Sequence, residues 1–199
     1  SFPTRRSSDL GSGFTEAITD SQSGTVCSAT MFNDYLYFAR SGQSVLRRQL
    51  TTPGSGAGTD FSTSAGTKPA NCGLVSVHQN RLFLAGDTAN PHILYASREG
   101  NPLDWDYAET DSAAAWATSS TGEQGKIGHA IVALIPHTDN CTIVCGTDAM
   151  YVVRGNPTAS DSVYLVSTNI GCLSQAAWCK TTNGWTFLMT RDGLYKIPP

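Results

Sequence analysis

Apolar and polar positions alternate along this chain in short, often interrupted runs, the pattern of strands and turns. It is clearest between His78 and Trp105, where Leu82-Phe83-Leu84-Ala85 and Ile93-Leu94-Tyr95-Ala96 flank the breaker-rich Gly86-Asp87-Thr88-Ala89-Asn90-Pro91. Two apolar runs around such a loop predict two adjacent strands.

The same wording returns three times. Asn33-Asp34-Tyr35-Leu36-Tyr37-Phe38-Ala39 leads through Ser41-Gly42-Gln43 into Val45-Leu46. Thr138-Asp139-Asn140-Cys141-Thr142-Ile143-Val144 leads through Gly146-Thr147-Asp148 into Met150-Tyr151-Val152-Val153. Thr182-Asn183-Gly184-Trp185-Thr186-Phe187-Leu188-Met189 leads through Arg191-Asp192-Gly193 into Leu194-Tyr195-Lys196-Ile197. Anchored on Asn33, Asn80, Asn140 and Asn183, the copies start 47, 60 and 43 residues apart. Propeller blades recur every ~40–50 residues with four strands each. The expected fold is therefore all-β and β-propeller-like, an incomplete propeller of three to four blades over residues 11–199. A β-sandwich also alternates turns and strands, but the similar wording of the copies favours blades. The repeats are not of the WD type, since the Asp104-Trp105-Asp106 pairing occurs once and in none of the other copies.

Further strands are predicted at residues 25–30, 72–77, 131–136, 163–166 and 175–179. Residues 51–68, rich in Thr, Gly, Ser and Pro, read as a surface loop anchored by Phe61. Residues 106–128 are irregular, with residues 111–117 as the best candidate for a short helix. The glycines of residues 122–128 superficially resemble a phosphate-binding loop. Ser120 and Ile127 stand where that pattern requires Gly and Ser or Thr, which excludes it.

Composition sharpens this reading. Charged residues make up only 15% and apolar ones 40% of the 199 residues, a balance that suits a β-rich globular fold. Net charge is −3, without the basic excess of a protein that grips nucleic acid through its phosphates. The interior basic pair Arg47-Arg48 reads as exposed residues on a strand edge that discourage edge pairing. Cys27, Cys72, Cys141, Cys145, Cys172 and Cys179 are scattered and read as small buried apolar residues of a reducing compartment. Cys141 and Cys145 lie four apart on one strand, so they share a face at about 13 Å, too far to bridge. No apolar run reaches the length that spans a bilayer, and no signal-peptide core follows Arg5-Arg6.

Candidate chemistry is sparse. His78, His92, His129 and His137 have no metal-ligand spacing, although His78 and His137 precede their hairpins at nearly equivalent places, two and three residues ahead of the aligned Asn, and suggest a periodic packing role. No nucleophile elbow and no His-Glu-x-x-His occur. Ser97-Arg98-Glu99-Gly100 with Trp105 is similar to the Asp-box turn of sialidases, but Glu99 replaces its Asp, and such boxes are structural turns. Asn140-Cys141-Thr142 fits the glycosylation triplet at the start of a strand. No catalytic, cofactor-binding or metal residue is assigned.

The first ten residues, Ser-Phe-Pro-Thr-Arg-Arg-Ser-Ser-Asp-Leu, resemble the in-frame translation of a common sequencing-adaptor oligonucleotide. Residues 1–10 are accordingly expected to be non-native, and the stop just after a strand suggests a fragment of a longer propeller.

Gln79-Asn80-Arg81-Leu82-Phe83-Leu84-Ala85-Gly86, then Asn90-Pro91, Tyr95-Ala96-Ser97 and Gly100-Asn101-Pro102-Leu103-Asp104-Trp105, resemble tail-associated propeller proteins of tailed bacteriophages. The similarity extends through the strand at residues 131–136, Met150-Tyr151-Val152-Val153-Arg154-Gly155, Ile170-Gly171-Cys172 and Gly193-Leu194-Tyr195, covering roughly residues 74–197. That group includes packaged-DNA stabilisation and tail nozzle proteins. The resemblance implies a non-enzymatic virion component of the tail, neck or nozzle, assembled in the host cytoplasm, that retains or guides packaged DNA. Its implied partners are further copies of itself and other tail or portal-complex proteins. DNA would be met only transiently and non-specifically, past a mildly acidic lining. The alternatives are a carbohydrate-active or lectin-like propeller, or a bacterial surface or sensor propeller.

Overall fold

The repeated units form the second and third strands of four successive antiparallel sheets in a computed structural model, which describes residues 18–19, 26–50, 56–118 and 127–199. Blade 1 comprises Val26–Phe32, Tyr35–Arg40, Leu46–Gln49 and Thr59–Asp60. Blade 2 comprises Cys72–His78, Arg81–Asp87, Tyr95–Ala96 and Trp116–Ala117. Blade 3 comprises Ala133–Thr138, Cys141–Cys145, Met150–Arg154 and Val163–Ser167. Blade 4 comprises Trp178–Lys180, Thr186–Thr190 and Gly193–Ile197. Each sheet is a meander in chain order, as blades are. The chain is β-propeller-like and all-β, with no helix among the described residues, hence none long and apolar enough to cross a membrane.

The turns that start these units follow from local chemistry. Gln79 and Asn80 have φ of 46° and 56°, the left-handed pair that a two-residue hairpin demands, and Asn33 sits at 52°. The strands between them are rich in aromatic and aliphatic residues because both faces are covered. Side chains alternate across a strand, so one set meets the preceding blade and the other the following one. Tyr37, Ala39 and Phe32 of blade 1 pack with Val75, Leu82 and Leu84 of blade 2. Leu74, Phe83 and Ala85 on the opposite face of blade 2 pack with Leu134, Val144, Tyr151 and Val153 of blade 3. Ile135, Ile143, Cys145 and Val152 then pack with Leu188 of blade 4.

Counted from Tyr35, Arg81, Cys141 and Trp185, the second strands thus share one code. The second and fourth residues, Leu36/Phe38, Leu82/Leu84, Thr142/Val144 and Thr186/Leu188, face backward along the series. The third and fifth, Tyr37/Ala39, Phe83/Ala85, Ile143/Cys145 and Phe187/Met189, face forward.

Between blades 1 and 2, Ala65–Gly66 pairs in parallel with Asp104–Trp105. This tie seats the Trp105 ring, fully buried, in the core between the two blades, with its indole N–H donating to Pro102 O at 3.0 Å. Phe61 is buried at 3% exposure, as expected, but residues 59–60 and 65–66 beside it are strands, not loop.

Three expectations need correction. Residues 111–117 are no helix: the Asp111 carboxylate accepts the Ala113 N–H at 2.7 Å, a side-chain turn that leads into the fourth strand of blade 2. Arg47-Arg48 is not on an edge, because Thr59–Asp60 pairs alongside, and the Arg47 guanidinium lies 4.4 Å over the Tyr35 ring. Among the cysteines, Cys72, Cys141, Cys145 and Cys172 are buried but Cys179 is exposed. Cys141 and Cys145 share the face toward blade 4, as expected. Residues 1–10, the Gly-rich residues 122–126 and the Cys27 side chain lie outside the described residues.

Gly66 has φ +61°, and a Cβ there would meet Trp105 O at 2.1 Å; Gly42, at φ +73°, has open space around it. Gly42→Ala is expected to cost about 1 kcal/mol from backbone conformation alone. Gly66→Ala adds a backbone collision and should cost more than about 2 kcal/mol, read as the difference between the two in urea unfolding.

Candidate functional site

The first strands of blades 1, 2 and 3 pack side by side, so their C-terminal ends, Phe32, His78 and Thr138, lie at one end of the blade series. A cleft of about 460 Å³ opens there between blades 2 and 3. His78, Gln79, Asn80, Glu99, His137, Asp139 and Lys180 are its polar lining.

The cleft is bounded by a repeated device. The His78 Nε2–H donates to Gly155 O at 2.9 Å, and the Thr142 hydroxyl, 3.0 Å away, donates to Nδ1. His78 therefore ends the first strand of blade 2 and grips blade 3 twice, on its second strand and just after its third. One blade later, His137 Nδ1 lies 3.1 Å from the Thr186 hydroxyl, and the His137 ring also bonds the backbone of Pro198, just after the third strand of blade 4. Thr142 and Thr186 occupy the same position of the strand code. At the junction of blades 1 and 2 the same two places hold Phe32 and Leu82, both buried and in one core cluster. Polar pair is exchanged for apolar pair as a unit.

Burial lowers the His78 pKa, the Gly155 bond partly opposes this, and the Arg81 charge adds to it. His137 is lowered too, first by burial and then by Lys180. Both rings are thus held neutral, the state that can accept from a threonine hydroxyl.

Arg81 is the second buried feature at this end, fully enclosed at the start of its strand. Its guanidinium donates to the carbonyls of Ser97 at 2.9 Å, Ser112 at 2.7 Å, Ala113 at 3.0 Å and Ala114 at 2.6 Å, and to Asn156 Oδ1 at 3.3 Å. Burial opposes its charge, and the Glu99 carboxylate at 3.8 Å supports it. These carbonyls belong to the ends of the long excursion between the third and fourth strands of blade 2, and Arg81 ties them together, sharing Ala113 O with the Glu99 N–H and Ser112 O with Asn156 and Thr158. The Asp-box-like turn lies in this excursion, with Ser97 Oγ accepting the Leu82 N–H at 3.0 Å and Gly100 N–H donating to Asn80 O at 2.8 Å. It acts as a turn.

No protein-family model matches the sequence. No curated protein matches it. The computationally designed Ika4 protein shares 10% identity at a TM-score of 0.54, over 93% of this chain and 98% of that one. BamB from Moraxella catarrhalis shares 10% identity at a TM-score of 0.50, over 85% of this chain. The match spans about two fifths of the BamB chain, 41%. What is shared with these proteins is the β-propeller fold alone.

The four histidines do not converge. His78 and His137 border the cleft, His92 lies in the loop after Pro91, and His129 Nδ1 is 2.9 Å from the Tyr151 hydroxyl. Among the described residues no three His, Cys, Asp or Glu side chains gather as a metal site. Thr142 of the glycosylation triplet is buried against His78. Sequence reasoning missed Arg81, Thr142 and Thr186. The joint change from His and Thr to Phe and Leu between copies was the signal that could have exposed the last two.

Two expectations follow. His78→Phe alone should cost about 1–3 kcal/mol by orphaning Thr142 and Gly155 O, and Thr142→Leu added to it should recover much of that loss. Since both histidines titrate lower in the folded chain than at the ordinary 6.5, their contribution is complete above that pH and is lost as pH falls below it. Denaturant unfolding followed from neutral to mildly acidic pH should therefore show falling stability, and the double variant should fall less steeply. Arg81→Lys keeps the charge but loses the fork, and should cost more than about 3 kcal/mol in the same measurement.

Proposed function

We propose that this chain is a non-catalytic structural propeller segment of a tailed-phage virion, a tail, neck or nozzle component that meets packaged DNA without gripping it. The observation that carries the reading is the use made of the polar groups at the cleft. His78 and His137 clamp successive blades and Arg81 pegs a loop, so the side chains best suited to acid–base or anion chemistry hold the scaffold together. The blade wording of residues 74–197 supplies the link to phage tails, and the net charge of −3 suits a surface past which DNA slides. Its partners under this reading are further copies and other tail or portal-complex proteins. The cleft does contain two carboxylates, Glu99 and Asp139, but no Phe, Tyr or Trp that would serve as a platform for a sugar ring.

An antibody raised against the purified chain tests this. Immunogold electron microscopy of tailed particles that carry this protein should place label at the neck or tail. Label confined to a bacterial envelope, or a glycan-array signal abolished by Glu99→Gln, would overturn the reading in favour of a surface or carbohydrate-binding propeller.

A further inference from the structure

Residues 97–115, the excursion that Arg81 secures, separate the third and fourth strands of blade 2, where blade 3 needs only residues 155–162. Long loops held on a rigid scaffold are disproportionately recognition surfaces. This one is braced from several sides. Besides the Arg81 bonds, Asn156 Nδ2 and the Thr158 hydroxyl donate to Ser112 O at 2.6 and 3.2 Å, and the Arg98 guanidinium bonds Glu109 and, at 3.0 Å, Asp111.

Between the excursion and the fourth strand of its own blade lies a hollow of about 290 Å³, whose lining includes Tyr107, Glu109, Asp111, Trp116, Ala117 and Thr158. Blade 2 stands inside the series, so the hollow owes nothing to where the chain begins or ends. The described residues on either side of residues 119–126, Thr118 and Gly128, meet Leu94 and Tyr151, at the end of the blades opposite to Asn80 and Asn140.

Three features of the lining agree on one occupant. The first is a strand edge. Trp116–Ala117 is the outermost strand of its sheet; Trp116 stands opposite Ala96, and the Thr118 N–H donates to Leu94 O at 2.9 Å. Residues 116 and 118 therefore turn their backbone groups inward, and Ala117 turns its N–H and C=O outward. The second is aromatic: Tyr107 is 40% exposed, and Trp116 is held by its packing on the core between blades 2 and 3. The third is charge. Two carboxylates share the single Arg98 cation, which leaves one negative charge at the rim. The chain fills such cradles with its own cations elsewhere, since Lys68 bonds Asp60 and lies 4.4 Å over the Phe61 ring.

We propose that this hollow docks an extended peptide segment of a protein partner, its backbone pairing with the Ala117 edge and one arginine or lysine side chain reaching Glu109, Asp111 and the Tyr107 ring. Strand addition supplies the backbone bonds, and the pocket selects the side chain. The proposal stands on this excursion and not on the virion reading, which its failure would leave untouched.

The test uses the full purified chain in fluorescence anisotropy with a labelled peptide, acetyl-Thr-Val-Arg-Val-Thr-amide, and with the same peptide carrying Gln for Arg. The Arg peptide is expected to bind at least about fivefold more tightly, and Glu109→Gln to remove most of that difference. Ala117→Pro deletes the outward N–H at a place where an edge strand tolerates proline, and should abolish binding of the peptide while far-UV circular dichroism shows the fold retained. No anisotropy change up to about 1 mM peptide would overturn the proposal, as would equal binding of the two peptides. Competition by arginine amide as strong as by the whole peptide would overturn it in favour of a small cation, and a glycan-array signal abolished by Tyr107→Ala in favour of a sugar.

Discussion

Every strand in the middle of this series has to be covered on both faces, and that single requirement organises the molecule. A sheet that is apolar on one side can leave the other to water; Arg81–Asp87 and Cys141–Cys145 cannot, since every residue of the second is buried and all but one of the first. Each blade is therefore stable only between neighbours. The chain meets the requirement by repetition, so the three cores lie between sheets rather than inside one layer. Burying a Leu or Phe side chain is worth roughly 1.5–3 kcal/mol, and each junction collects several.

Burial of apolar area is non-directional, so apolar packing alone fixes the placement of neighbouring blades only where side-chain shapes interlock. Directional bonds at the blade ends remove the remaining freedom. His78 reaches Thr142 and Gly155, and Gln79 Nε2 reaches Asn140 Oδ1 at 2.8 Å in the next turn. Each bond fits only one relative placement of the sheets. The first junction lacks the His–Thr clamp; there the Val75 N–H donates to Ser28 Oγ at 2.7 Å, and the Trp105 ring, the parallel tie at Gly66 and the Phe32–Leu82 pair fix the same degree of freedom. A polar clamp and a well-fitted wedge are alternative solutions to one geometric problem.

Much of this was legible in the sequence. The four turn-and-strand units are the second and third strands of the four blades, although two third strands shifted: Val45-Leu46 marks the strand Leu46–Gln49, and only Tyr95–Ala96 of the run from Ile93 pairs. The outer strands were harder to see. Thr59–Asp60 and Trp116–Ala117 are only two residues long, too short to show any alternation, so they pair by backbone bonds that no side-chain pattern announces. Residues 111–117 suggested a helix because alanine favours one, but a single Asp111 turn and the waiting edge of Tyr95–Ala96 outweighed that weak preference. Arg47 read as exposed because a charge in a strand normally is; the guanidinium instead spreads over aromatic rings, an environment that tolerates it. The histidine pair was visible as a periodicity. Its partners were not, because a threonine inside an apolar run looks like an ordinary β-former.

Arg81 shows why the site resisted prediction. Blades 1, 3 and 4 place Tyr35, Cys141 and Trp185 where blade 2 places this arginine, and only blade 2 carries a long excursion between its third and fourth strands. Such an excursion folds back with carbonyls outside any ladder; Ser97 O and Ala114 O would lose their side-chain donor without Arg81, and a buried carbonyl left unpaired costs about 1–3 kcal/mol. One planar cation with five donors reaches four such carbonyls at once. A lysine at the same depth would have three donors on a flexible stem, and a neutral residue none in the required fan. The arginine is thus determined by a loop that begins sixteen residues later, at Ser97. Dependence of that kind is invisible to any local window, and it explains how a charge at the head of an apolar strand can be a structural necessity without being a catalytic one.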